Sequence, residues 1–596
     1  MKKISLVFTL AICLIGELSY TEESWIIPMD SPYYKQAEEL FLNSGRNAPY
    51  EEMPLVADEL KAGLSDINRE SKDEIEAAKA RDLNDKIKLP FKNLAPILEF
   101  GLHFGFNNET GRMNFIYKPQ GKYDNGGTTP TIPPYNLVTH PGAPERFLDY
   151  KQIYQTQAIP SLITTGLIAQ KWGISICIVP EIRPAMSQIL TDYSFMNFPT
   201  QDPKKFDFNI PYRGVLAVYK DPVEIRFGRD KLQLGPGRWS SLMVNKNIPY
   251  NDFIKFRLFM KYFSFSFYFI SLNAQITAEE SAYMNLMYNN PTLYPNPEKN
   301  GYLNGTTYNM RSKNLIASKW TFTPADWAAF SLTQYNLIGG RDPHISDFNP
   351  FIIFHNIYAE GVYSVPISLT ATFTPYKGIK IYGEFLFYDA SVGDESSGPD
   401  SNGFAAAYQI GLTLLSNPFF QAGPGRFRLD AEFSWTDPWV YGKFYSFRQF
   451  TSRIIYVEPF GDRYMVDYPL GFYLGPDAFE IDVALAYGTP DNWEIELLWQ
   501  RQAKGVVNMY GFGADNDYGN YGVNGVPLAN AATPTGSARG SAEWTDSIKL
   551  SFTIYPVNGL KVWTWYQFKH VENRFNITGY TGNFHQVGAS ATYKLY

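Results

Sequence analysis

Between Lys261 and Leu272 the chain reads KYFSFSFYFISL. Phe263, Phe265, Phe267 and Phe269 occupy one parity, and Tyr262, Ser264, Ser266 and Tyr268 the other. Successive side chains of a strand point to opposite faces, so this run predicts a strand with one wholly apolar face. The pattern recurs between Arg426 and Trp435, where Phe427, Leu429, Ala431, Phe433 and Trp435 alternate with Arg426, Arg428, Asp430, Glu432 and Ser434. Phe479, Ile481, Val483 and Leu485 oppose Glu480, Asp482, Ala484 and Ala486 in the same way. So do Trp493 to Gln500, and Ile548, Leu550, Phe552 and Ile554 against Ser547, Lys549, Ser551 and Thr553.

A soluble sandwich also alternates, but its strands average about five or six residues. The stretches here run to about 9 to 13 residues, the length of a tilted transmembrane strand, with aromatic-rich outer faces. Tight turns such as Asp221-Pro222, Tyr376-Lys377-Gly378, Pro490-Asp491-Asn492 and Val557-Asn558-Gly559 separate them. Long polar segments intervene at 275–310, 390–402, 459–475 and 504–543. This predicts a large antiparallel outer-membrane β-barrel of about 18 to 20 strands, an even number. Both signs of charge fall on the inner faces, so a cross-strand ladder of opposite charges is expected there.

Composition agrees. The 596 residues include 44 Phe, 42 Tyr and 12 Trp, with 19 % charged residues. A mean hydropathy of −0.25 argues against a bundle of transmembrane helices. A net charge of −7 leaves no basic surplus for nucleic acid. Lys2 and Lys3 followed by the apolar run Ile4 to Ile15 predict a signal peptide over 1–19, too short to span a bilayer. Beyond Cys13 in that run only Cys177 remains, so no disulfide, cysteine metal site or cofactor motif is expected.

Residues 20–90 lack alternation and predict a helical periplasmic segment, either a charged solvated helix beside the barrel or a unit that plugs or abuts its floor, with the barrel itself over 91–596. Ser31-Pro32 supplies an N-cap and a first-turn proline, and Gly45 a stop. Tyr34, Ala37, Leu40 and Phe41 form the apolar stripe of that helix. A second helix is expected over Leu55 to Leu64. A third is expected from a capping box of Ser71 with Glu74 to about Ile87.

Residues 226–256 read RFGRDKLQLGPGRWSSLMVNKNIPYNDFIKF. In order and spacing, Gly228-Arg229-Asp230, Gly235-Pro236-Gly237, Ser241-Leu242, Asn247 and Pro249 resemble the signature of the Wzi-type capsule assembly family. The run 380–389, KIYGEFLFYD, is similar to a later strand of that family. Gln233-Leu234 departs from the family's aromatics before the GPG. The resemblance implies an outer-membrane barrel lectin that binds capsular polysaccharide.

The residues themselves leave two readings open for this run. Proline cannot donate to a strand ladder, so Gly235-Pro236-Gly237 ends a strand. Around it, Arg229, Asp230, Arg238 and Trp239 are candidate polysaccharide contacts, or else a salt-bridged loop that pins the wall. Tyr288, Tyr294, Tyr302 and Tyr308, in a Tyr/Asn/Pro-rich segment, are further candidates because aromatic faces stack on sugar rings. Six scattered histidines form no HxH or HExxH spacing, and no serine motif accompanies Arg341-Asp342-Pro343-His344. No catalytic residue and no metal set is expected. The expected function is therefore non-enzymatic binding or anchoring of surface polysaccharide, with a porin for small polar solutes as the alternative. Outer-membrane lipid and the barrel-assembly machinery are the remaining expected partners.

Overall fold

The computed structural model of the chain describes residues 25–29, 31–89, 91, 94–107, 110–114, 147–151, 162–182, 212–274, 312–340, 342–351, 363–389, 405–416, 425–438, 440–441, 449–457, 463–489, 492–505, 542–557, 559–574 and 578–595. The expected signal peptide and the four loop tyrosines Tyr288, Tyr294, Tyr302 and Tyr308 lie outside the described residues.

Eighteen long strands close into one antiparallel barrel. In chain order they are β1 (Leu94–Asn107), β2 (Leu162–Lys171), β3 (Ile174–Ile182), β4 (Tyr212–Lys220), β5 (Val223–Asp230) and β6 (Asn251–Phe259). Next come β7 (Phe263–Leu272), β8 (Lys313–Ala325), β9 (Ala328–Gly339), β10 (Ile367–Tyr376), β11 (Ile379–Asp389) and β12 (Ala405–Leu415). The last are β13 (Arg426–Thr436), β14 (Ala478–Thr489), β15 (Trp493–Lys504), β16 (Glu543–Val557), β17 (Leu560–Glu572) and β18 (Gly582–Leu595). The barrel closes where β18 pairs with β1, from Leu595 against Leu98 to Gln586 against Asn107. Every predicted tight turn joins two of these strands at one end. The predicted polar loop 459–475 departs from expectation: Arg463–Pro469 forms a hairpin strand, and Leu470 and Phe472 are buried in the lumen because their side chains are apolar.

The outer wall is apolar and uncovered: Phe227 is 61 % exposed, Leu550 50 % and Leu369 52 %. On the same strand as Phe227, the inward Glu224 and Arg226 are 0 % and 1 % exposed. Water would penalise such a surface and lipid would not. Among the described residues no helix is long and apolar enough to cross a membrane.

Among the described residues three helices precede the barrel: α1 (Pro32–Ser44), α2 (Ala57–Glu70) and α3 (Glu74–Lys86). Ser31 caps α1, and Gly45 ends it at φ 76°, the left-handed conformation that glycine adopts without penalty. The anticipated stripe of Tyr34, Ala37, Leu40 and Phe41 is buried. α2 runs past Leu64 to Glu70 because Leu60, Leu64 and Ile67 continue one buried face. The expected capping box of α3 is replaced by Asp73, whose carboxylate accepts from the Ile75 amide at 2.9 Å. Ser71 lies too early to cap and donates to Glu76 instead, at 2.8 Å.

The helices pack at the short-turn end, inside the wall. Trp25, Leu40, Leu60, Leu83 and their neighbours form one cluster with the inward residues Ala95, Ile168, Cys177 and Val179. A second apolar cluster fills the long-loop half of the lumen. There Leu234, Leu242, Met243 and Val244 pack with Tyr441, Phe450, Leu470 and Phe472 against the inward Tyr268, Leu315, Tyr335 and Leu386. The hairpin that feeds this cluster pairs Thr451–Val457 with Arg463–Pro469.

Candidate functional site

Between the two apolar clusters the lumen is polar, and its charges are used to hold the filling in place. From α1, Glu38 takes Lys380 at 2.9 Å and Arg428 at 2.7 Å. Lys35 pairs with Glu494, and Glu39 with Arg426. α2 presents Glu59 to Arg257 at 2.8 Å. Between α1 and α2 the chain dips into the barrel, where Glu52 accepts from Ser266 at 2.8 Å and Tyr268 at 2.8 Å and faces Lys255 at 3.4 Å. Glu51 meets Lys319 at 3.2 Å and Thr372 at 3.0 Å. The cross-strand ladder expected of the inner charges exists in part, as at Lys255 and Glu224 on adjacent strands, 3.1 Å apart. Much of the charge is spent instead on ties to the N-terminal segment. Burial alone would raise the Glu38 and Glu52 carboxyls, yet the cations facing them hold both well below the usual carboxylate range.

The Gly-Pro-Gly run lies in the middle of this layer. After β5 the chain leaves the wall and Gln233–Leu234 pairs with Glu52–Met53, linking the two lumenal segments. A Cβ on Gly235 would stand 2.8 Å from Glu384 Oε2, and one on Gly237 would stand 1.8 Å from the Ser240 carbonyl and 2.4 Å from Gln409 Oε1. Both glycines are therefore dictated by close approach to the wall. Glu384 accepts the Leu242 amide at 3.1 Å and the Ser368 hydroxyl at 2.8 Å. Glu432 accepts the Arg238 amide at 2.7 Å, the Tyr382 hydroxyl at 2.5 Å and the Gln409 amide at 3.0 Å. Burial lowers the Lys246 ammonium to about 8 while it donates to the Arg238 carbonyl.

The candidate residues have distinct surroundings. Arg229 makes a bidentate pair with Asp252 at 2.6 and 2.7 Å, on the outward parity at the long-loop rim, with its guanidinium 3.9 Å from the Tyr250 ring centroid. Asp230 points inward, where Arg213 grips it at 2.6 and 2.8 Å. Arg238 crosses the lumen to Asp430 and to Glu496, the latter at 2.9 Å, with Trp239 4.9 Å away. The structure thus brings Arg238 and Trp239 together, and seats Arg229 and Asp230 against partners on neighbouring strands. Glu384, Glu432 and Gln409 were not singled out from sequence. The one available signal was their polar character on the inward parity of β11, β12 and β13. Among the described residues no cluster of histidine, cysteine or carboxylate side chains is arranged to hold a metal ion.

No family model matches the chain, and no curated protein does. Solved structures match it. Wzi of Escherichia coli, an outer-membrane protein involved in Group 1 capsule assembly and a carbohydrate-binding β-barrel, superposes with a TM-score of 0.54 and 12 % identity. That match covers 96 % of this chain and 99 % of the other. OprD of Pseudomonas aeruginosa gives a TM-score of 0.38 at 8 % identity over 85 % of this chain and 96 % of that one. The outer-membrane channel DcaP of Acinetobacter baumannii gives 0.32 at 9 % over 85 % and 99 %. At such identities likeness concerns fold, and the fold of this chain is that of a Wzi-like outer-membrane β-barrel.

Proposed function

We propose that this chain is a non-enzymatic outer-membrane protein that binds and anchors surface polysaccharide at its long-loop end. The observation that carries this reading is the filled lumen. A helical floor, a polar layer of buried ion pairs and an apolar layer around Leu242 and Tyr441 occupy the interior. A barrel of this size is a wide channel unless it is filled, and filling leaves the loop face as the working surface. The fold shared with a carbohydrate-binding barrel agrees with this. Tyr288, Tyr294, Tyr302 and Tyr308 are the proposed stacking residues at the long-loop end, Trp239 beside Arg238 is a proposed contact deeper in the lumen, and the helices are proposed to face the periplasm after removal of residues 1–19.

The test compares a deletion strain with its parent, measuring polysaccharide attached to cells against polysaccharide shed into the medium. The expected result is a shift from attached to shed, reversed by the intact gene but not by one with the four loop tyrosines changed to alanine. Unchanged attachment in the deletion strain would sink the anchoring role.

A further inference from the structure

Filling of the lumen is one-sided. Inward residues of β6 to β9 are sealed beneath the plug, with Lys255 at 2 %, Lys319 at 1 % and Tyr335 at 1 % exposed. Inward residues of β16 and β17, including Lys549, Ser551, Trp563, Trp565 and Gln567, stay only half-buried. Their parity is fixed by register. Ile548, Leu550 and Phe552 lie outward, so Lys549, Ser551 and Thr553 face in, and Trp565 and Trp563 pair opposite Ser551 and Thr553. On the other side the same two tryptophans stand opposite Gly588 and Ser590 of β18.

This barrel sends its aromatics mainly outward, so two adjacent lumenal indoles break its own pattern. Their centroids are 5.8 Å apart with planes at 37°. Trp565 lies against the wall over Gly588: a Cβ at that glycine would meet the indole at 2.5, 2.6 and 2.8 Å. The Trp565 indole is thereby held close to the Gly588 backbone. The Lys549 ammonium sits 5.0 Å from the Trp563 centroid and 4.9 Å from that of Trp565. Among the described residues it makes no hydrogen bond or ion pair. Its cross-strand neighbours are Leu498 and Gln567, neither charged. Glu496, its diagonal neighbour on β15, lies within electrostatic reach of the ammonium but takes its hydrogen bond from Arg238, at 2.9 Å.

We infer that Lys549, Trp563 and Trp565 form a lumenal subsite for a pyranose ring that carries a carboxylate. The C–H face of a pyranose presents partial positive charge, which the negative face of an indole attracts. Two indoles at an angle cradle one ring, and the Lys549 ammonium, hydrogen-bonded to no carboxylate among the described residues, supplies the charge-assisted hydrogen bond to the acid group. Ser551 and Gln567, on the same inward face, are placed to meet hydroxyls. The inference rests on the polysaccharide reading only in taking the ligand to be a saccharide.

The test is isothermal titration of the full-length chain, purified and folded in detergent, with trigalacturonate as the acidic probe and maltotriose as its neutral counterpart. Trigalacturonate is expected to bind, to weaken about tenfold in K549Q, and to be lost in W563A/W565A and in G588V, which pushes Trp565 off the wall. Heat-modifiable migration on a gel verifies that each variant barrel is folded, and K549Q leaves the packing of the indoles in place if the tryptophan variants do not fold. Absence of trigalacturonate binding, or binding unchanged in K549Q, overturns the subsite. Trigalacturonate binding that follows these variants while the deletion strain keeps its polysaccharide attached upholds the subsite and removes the anchoring role. Loss of attachment in the deletion strain with no probe binding does the reverse.

Discussion

Gly237 shows how far a single atom matters in this lumen. Its Cα approaches the Ser240 carbonyl and Gln409 so closely that a methyl group cannot be placed without moving one of them. Gly237→Ala is expected to leave the strands paired, since it touches no backbone hydrogen bond of the ladder, and to displace the 233–248 loop and the Gln409 amide. Overpacking of this kind costs about 1–3 kcal/mol. The predicted outcome is a folded barrel in which protease cuts that loop faster than in the parent. Arg238 makes the complementary case. It ties the same loop to Asp430 and Glu496, and Arg238→Ala leaves two carboxylates facing a shared space. Because Arg238 and Glu496 are partly accessible, the expected loss is about 1–3 kcal/mol, below that of a fully buried pair. A lower midpoint in thermal unfolding, with Arg238→Lys recovering only part of it, is the measurement that checks this.

At the scale of elements, the helical segment owes its seat to carboxylates on short stretches of chain. Glu38, Glu51 and Glu52 all have folded-state carboxyls below the usual range, in each case because facing cations outweigh burial. A depressed carboxyl contributes stability that is present above its ordinary value of 4.5 and is lost as pH falls below it. Lowering the pH from 6 to 3 is therefore expected to loosen α1 against the wall while the strands persist. Amide hydrogen exchange, corrected for its intrinsic pH dependence, reads this directly: protection over 32–44 should drop and protection over β11 and β13 should not. In Glu38→Gln the same loosening should already be visible at pH 6. Protection that is flat across this range would mean that the apolar cluster around Leu40 and Leu60 holds the unit unaided.

For the whole molecule, the filled lumen sets the expected transport behaviour. The intact chain in a planar bilayer should conduct weakly, because two apolar clusters and a layer of ion pairs obstruct the bore. Removing 25–89 takes away the floor, the acidic partners of Lys380 and Arg257, and one of the two carboxylates that each of Lys255 and Arg428 faces. The uncovered cations should then make the residual pathway both wider and anion-selective. Large, steady conductance of the intact chain would favour the porin reading over the lectin one.

How much of this was legible in the chain varies by feature. The barrel was, because a period of two over some ten residues has a single physical meaning when one face is uniformly apolar and the stretch is long enough for a bilayer. α1 was too, since Ser31, Pro32 and Gly45 act on their immediate backbone and need no distant partner. The cap of α3 was misplaced by two residues, a competition between neighbouring acceptors that only the settled helix start resolves. The lumen was not legible. Glu38 meets Arg428 across 390 residues, and Glu384 meets Leu242 across 142. Alternation identifies an inward residue but not what stands opposite it across the bore. Whether an inward charge pairs along its own strand, with a helix or with the central loop depends on the closure of eighteen strands into a ring. The local sequence thus determined each element and its parity, because those follow from backbone geometry within a few residues. A plug ahead of the first strand was legible, but tertiary structure alone decided which charges and side chains meet inside the channel, because burial of opposite charges requires that distant parts of the chain meet.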